Sequence, residues 1–231
     1  MRLPAESASS WVHLAFASFT YASLVAWAEA ELLAASSRAV LVDLAALVKA
    51  SMERLLKEAR ETQDAMIFAR PHAQARQNVA LNALKRTTKE ALQLTTIRLG
   101  AGSENHPHVR FFLPKLLSGV TKLPIDERPG AVTDAAGRLD GLPAFDEKEQ
   151  LVLRLKEAAL HAQRMIDEAD SAFDGWKTER SEEVMAKGQM RLDLQSVYGG
   201  LRQEFPGQRD FFESFFLRAG KPSEGRGDGD E

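Results

Sequence analysis

Between Leu41 and Met66 the apolar side chains return at steps of three and four, through Leu44, Val48, Met52, Leu55, Ala59 and Thr62. The same alternation runs from Leu151 through Leu155, Ala158, Ala162, Met165, Ala169 and Ala172 to Trp176. An α-helix turns once in about 3.6 residues, so each set falls on one helical face; a strand would need strict alternation. No strand-like alternation of useful length is present, and no repeat with a period of roughly 20–50 residues. The fold class expected is therefore all-α. It is an elongated antiparallel helical bundle with two very long helical stretches, one shorter helix and a Pro/Gly-rich strap.

Breakers divide the pattern. A long helix is expected over about 11–69, capped by Ser9 or Ser10, because no Gly or Pro interrupts it. Pro71 biases Arg70 away from the helical region and can open a second helix, about 72–99, that stops at Gly100 and Gly102. Its stripe is Leu81, Leu84, Thr88, Ala91, Thr95 and Leu99. Residues 100–145 hold Pro107, Pro114, Pro124, Pro129 and Pro143 and read as a connecting strap with short helical pieces near 111–120 and 131–139. Asp146 with Glu149 resembles a capping box at the start of the last long stretch, 146–203. That stretch is one rod, or a hairpin bent between Gly175 and Gly188, and Gly199-Gly200 with Pro206 are expected to end it. A Phe-rich docking segment, 205–217, follows, and the Gly-rich charged tail from 218 to 231 is expected to be disordered. Residues 1–217 are read as a single domain.

Composition removes several functions. Without cysteine there are no disulfides, thiolate metal sites or cysteine nucleophiles. A formal net charge of −3 does not supply the global basic field of a nucleic-acid binder. No nucleophile elbow and no phosphate-cradling loop is found. The segment 11–28 carries no Asp, Glu, Lys or Arg. It sits at the lower edge of a membrane span, but its helical pattern continues past Glu29 and Glu31, so a buried core helix is the reading preferred. Localisation is expected to be cytoplasmic, with a membrane-associated or exported protein as the minority reading.

Candidate chemistry is sparse. Glu157 and His161 are four apart without a second copy, which does not make the paired motif of a di-metal bundle. His106 and His108 flank Pro107 and are weak metal-ligand candidates needing a third donor such as His72 or Glu104. No cofactor is expected. Lys85, Arg86 and Lys89 form a basic face on a helix that also carries Arg70, Arg76 and Arg98 against Glu90 alone. Over 146–183, eleven acids face six basic residues. Pairing between these helices explains both without nucleic acid. The pairs Phe111-Phe112, Phe211-Phe212 and Phe215-Phe216 either close a core or present a partner patch. Arg226-Gly227-Asp228 spells an adhesion tripeptide that arises by chance in such tails.

These readings lead to a non-enzymatic structural or protein-interaction bundle that self-associates. The interface expected is Leu151, Leu155, Met165 and Trp176 with Phe211, Phe212, Phe215 and Phe216. A membrane-acting bundle using 11–28 and a ligand- or metal-binding sensor are the alternatives.

Overall fold

A computed structural model describes residues 3–100, 102 and 105–217. The chain is an all-α helical bundle, with no strand among the described residues. Its contacts divide it into two compact units. One comprises residues up to Asp64 together with those from Lys177 onward; the other is Ala65–Trp176. The elements are α1 (Ser10–Glu29), α2 (Ala35–Asp64), a π-helical turn (Ala65–Ala69), α3 (Arg70–Arg98), α4 (Pro107–Phe112), α5 (Leu116–Thr121), α6 (Arg128–Asp140), α7 (Lys148–Glu204) and α8 (Arg209–Glu213).

In the first unit, α1 and α2 form a helical hairpin. The single helix expected over 11–69 is thus broken at 30–34, although no Gly or Pro lies there. The cause is burial. α1 is apolar nearly all round, and a lone rod would leave most of that surface in water. Folding back sets Leu14, Ala17 and Leu24 against Leu41, Ala45 and Val48. Ser9 caps α1 by accepting a hydrogen bond from the Val12 amide. Ser37, just inside α2, donates to Glu204 at 2.6 Å.

α2 runs antiparallel to the part of α7 in this unit. Ser37 meets Glu204, Ser51 donates to Asp193, and Thr62 donates to the Glu179 carbonyl at 3.0 Å. Gly199-Gly200 does not end α7, which continues to Glu204. A Cβ on Gly200 would come within 3.1 Å of Leu44, so the missing side chain permits close helix approach. Phe205, Phe212, Phe215 and Phe216 then close the core.

In the second unit, Pro71 does not open a gap. A π-turn precedes it, and α3 starts at Arg70 with the proline in its first turn. Proline cannot donate to the carbonyl four residues back and its ring crowds that carbonyl; the wider turn relieves both. The inserted residue also rotates the stripe, which leaves Met66 exposed rather than buried with Leu55 and Thr62.

The segment read as a strap supplies much of this unit's core: Val109, Phe112, Leu113, Val120, Val132, Ala135, Ala136, Leu139 and Leu142 are buried. The helical piece expected near 111–120 is split at Leu113-Pro114, because a residue before proline avoids the helical region. Asp146 does not cap α7. The helix starts at Lys148, after Glu147 takes a left-handed conformation at φ 72° and pairs with Arg98. Lys148 donates instead to the Asp140 and Leu142 carbonyls at the end of α6. α7 is one continuous helix of 57 residues, so 146–203 is not a hairpin. The tail 218–231, with Arg226-Gly227-Asp228, lies outside the described residues.

Candidate interaction surface

Helix α1 buries one side of its circumference and leaves the other side bare. Its inner face holds His13, Leu14, Phe16, Ala17, Thr20 and Leu24. At about 100° per residue, Trp11, Val12, Ala15, Ser18, Phe19, Ala22 and Ala26 occupy an opposite arc of roughly 120°, and all seven are exposed. Trp11 is 50% and Phe19 40% accessible. The Ser18 hydroxyl is the one polar group in this arc besides the Trp11 indole N–H, and no charged side chain enters it before Glu29 at its end. An outward helix face normally carries charged and polar residues, and contiguous apolar surface marks a place of contact. A shallow cleft of about 310 Å³ continues the surface between α1 and α2, lined by Tyr21, Val25, Ala28, Val42 and Ala46 among others.

The inner side of α1 is polar at its N-terminal end. His13 is fully buried. Its Nδ1 lies 3.1 Å from the Ser9 carbonyl and its Nε2 3.4 Å from an Arg191 guanidinium nitrogen. An imidazole that donates from Nδ1 and accepts at Nε2 fits both partners and is neutral. Burial holds its pKa below the ordinary histidine value; the Ser9 contact opposes this, while Lys187 and Arg191 reinforce it. Ser10 donates to the buried carboxylate of Glu183, and Arg180 reaches the second oxygen at 2.7 Å. Burial alone would raise the Glu183 pKa. The Ser10 and Arg180 hydrogen bonds and the Arg180 charge outweigh it and hold this carboxyl below the usual range. These groups are locked to partners, so they anchor α1 rather than offering a reactive centre.

The residues expected to form an interface lie inside. Leu151 and Leu155 belong to the core of the second unit, and Phe212, Phe215 and Phe216 to that of the first. Phe211 is half-buried between Trp27, Phe205 and Phe215, with ring centroids 4.8–5.3 Å apart. Met165 packs against its core as a half-buried side chain. Trp176 stacks on Phe173, and the Arg70 guanidinium lies about 5 Å from both rings. In the second unit the buried positions on α7 are Leu151, Val152, Leu155, Ala159, Ala162 and Ile166, a band wider than a two-helix seam, as packing against several short helices requires. The regular stripe therefore reports internal packing.

His106 caps α4, its Nδ1 accepting from the His108 amide at 3.3 Å, with the rings 5.2 Å apart. His72 lies against Phe68 and joins neither, and Glu104 is outside the described residues. Lys85, Arg86 and Lys89 are exposed, and Arg86 pairs with Glu90 on its own helix. Arg76 and Arg98 reach Glu168 and Glu147, so these charges pair within the chain. The outer face of α1 was legible only as an absence of charge over 11–28; which half would stay exposed follows from where α2 and α7 pack. Comparison with family models, with curated proteins and with solved structures finds no match to this chain.

Proposed function

We propose that this protein is a non-enzymatic helical interaction module that self-associates through the outer face of α1. The observation that carries this reading is the charge-free exposed arc from Trp11 to Ala26. The arc is self-complementary in volume. In an antiparallel pair of α1 helices centred between Ser18 and Phe19, Trp11 falls opposite the partner's Ala26, Ala15 opposite the partner's Ala22 and Ser18 opposite the partner's Phe19. Each large ring thus meets a small side chain, and the alanines and the serine let the backbones approach. The same register brings the partner's Glu29 to the N-terminus of α1, where free amides and Lys187, whose Nζ is 3.2 Å from the Ala8 carbonyl, favour a carboxylate. A two-fold pairing of one patch with itself is the commonest oligomer symmetry.

Sedimentation equilibrium or light scattering tests the reading. The wild type is expected to be dimeric at micromolar concentration. Phe19→Glu at the centre of the arc should weaken the dimer by about 100-fold, as for a central aromatic anchor, with helicity unchanged because the side chain points away from the core. A wild type that stays monomeric at about 100 μM overturns it.

A second reading is bilayer contact, which draws on the length and hydropathy of α1, a 20-residue helix. Glu6, Glu29 and Glu31 flank the segment where basic residues would favour anionic lipid. The inward His13 and Thr20 are also more at home against Arg191 and the Phe16 carbonyl than in hydrocarbon. Co-sedimentation with vesicles that Phe19→Glu abolishes would favour it over the dimer.

A further inference from the structure

At the end of the first unit away from the phenylalanine cluster, three carboxylates converge. Glu58 and Glu61 stand one turn apart on α2, and Glu179 comes from α7, whose backbone is fixed there by the Thr62 hydroxyl on the Glu179 carbonyl at 3.0 Å. One oxygen from each carboxylate lies within 4.8 Å of the other two. This is the one such group of three or more metal-binding side chains among the described residues.

The cluster lies at the edge of the interior, with Glu58 buried and Glu61 and Glu179 half-buried. Glu58 is nine-tenths buried, at 9% exposure. Its Oε2 is enclosed and has no hydrogen-bond partner, and the Oε2 of Glu179 is enclosed and unpartnered as well. Buried carboxylate oxygens without donors are rare in folded proteins because the charged group has lost its water. Lys57 touches the cluster from its exposed side, 3.4 Å from Glu58 Oε1 and 3.3 Å from Glu61 Oε2. Its side chain is two-thirds exposed, and it donates to neither of the two enclosed oxygens. Three carboxylates against one ammonium leave two negative charges.

We propose that Glu58, Glu61 and Glu179 bind a hard divalent cation of the Ca²⁺, Mg²⁺ or Mn²⁺ class. The donors are all carboxylate oxygens, which these ions prefer and which thiophilic metals do not. A dication balances the residual charge of carboxylates two of which hold an enclosed oxygen without a donor. Two ligands come from α2 and one from α7, so the ion ties the two helices together at the end of the unit opposite the aromatic cap. The site differs in residues and place from the His106–His108 pair, and it does not depend on the self-association of α1.

The test is a calorimetric titration of the full chain, stripped with chelator, with Mn²⁺, Ca²⁺ and Mg²⁺ in separate runs, alongside thermal unfolding at each endpoint. The expected result is one ion per chain for at least one of the three. Its dissociation constant should be on the order of 10⁻⁵–10⁻³ M, and the melting temperature should rise in the presence of that ion. Glu61→Gln, on the half-buried side of the cluster, should weaken binding at least tenfold while keeping the fold by circular dichroism. Glu58→Gln should abolish it, and if that variant does not fold, Glu61→Gln alone decides. Glu53→Gln, on the exposed side of α2, should bind as the wild type does. No binding up to millimolar concentrations of all three ions overturns the proposal. So does binding that Glu61→Gln leaves unchanged, since the ions would then be held elsewhere.

Discussion

The two units are built from the same helix α7, yet their interiors are made differently. Among the described residues Ala65–Trp176 buries Leu84, Phe112, Leu139 and Leu155 with only Gln77, Thr88 and Thr95 as polar company, and Thr88 is satisfied by the Leu84 carbonyl. Its charges stay outside, as in Arg76–Glu168 and Arg98–Glu147. The first unit also has an apolar core, but it buries His13, Glu58 and Glu183 beside it. Among the described residues every buried ionisable side chain is in this unit. A core of hydrocarbon responds to volume, whereas one with enclosed charges responds also to protons and ions. The exposed face of α1 and the carboxylate cluster both belong to the responsive unit.

The largest effect should come from volume in the second unit. Phe112 is fully buried among residues from α3, α6 and α7. Phe112→Ala should cost about 3–5 kcal/mol, read as lost hydrogen-exchange protection over 65–176. Because no described ionisable side chain is buried in that core, the loss should be the same at pH 5.5 and pH 7.5. A loss that changes with pH would break the contrast between the units.

The sequence made this contrast visible only in part. The steps of three and four gave helices, and they gave the buried sides of α2, α3 and α7, because periodicity and burial share one cause. What stayed hidden was whatever depends on a second helix. The turn at 30–34 has no breaker residue; it exists because α1 finds a better surface on α2 than in water. Gly200 looks like a helix stop and is a contact with Leu44. Met66 continues a stripe by count, but the π-turn that accommodates Pro71 has rotated it outward. The pairs Phe211-Phe212 and Phe215-Phe216 announced a cluster, and only the geometry around Trp27 shows that it faces inward, whereas of Phe111-Phe112 only Phe112 is buried and Phe111 is exposed. Glu58, Glu61 and Glu179 carry no motif, since their meeting depends on the antiparallel register of α2 and α7.

A smaller effect should come from the polar anchor of α1. Ser10→Ala removes the hydroxyl that donates to buried Glu183 and leaves that oxygen short of a donor. The expected cost is about 1–3 kcal/mol, confined by hydrogen exchange to the first unit. Glu183 has its pKa lowered in the folded state, so its stabilisation is complete above about pH 4.5 and is lost as pH falls through the lower folded value. The Ser10→Ala penalty should accordingly shrink in acid. A penalty constant down to pH 3 would mean that the hydroxyl contributes packing and not a charge-assisted hydrogen bond.

The smallest effect isolates one proton. His13 is neutral in the folded chain because burial, with Lys187 and Arg191 nearby, opposes a third positive charge. The unfolded chain takes up a proton at about pH 6.5, while the folded chain does so only lower. Between those two values the unfolded state binds more protons, so stability must fall as pH falls, and above pH 6.5 this histidine has no effect. The melting temperature of the first unit should drop by roughly 1–3 °C from pH 7 to pH 5.5, in a window where Glu183 is still fully ionised. His13→Gln retains a hydrogen-bonding side chain but cannot titrate. It should lower the melting temperature at pH 7, through poorer fit to Ser9 and Arg191, and should flatten the slope between pH 7 and 5.5. The sign of that slope is the informative quantity. The raised Glu179 carboxyl contributes the opposite slope equally to both proteins, so a wild type that gains stability on mild acidification relative to His13→Gln would require His13 to be charged against Arg191, and the neutral ring hydrogen-bonded on both sides would have to be given up.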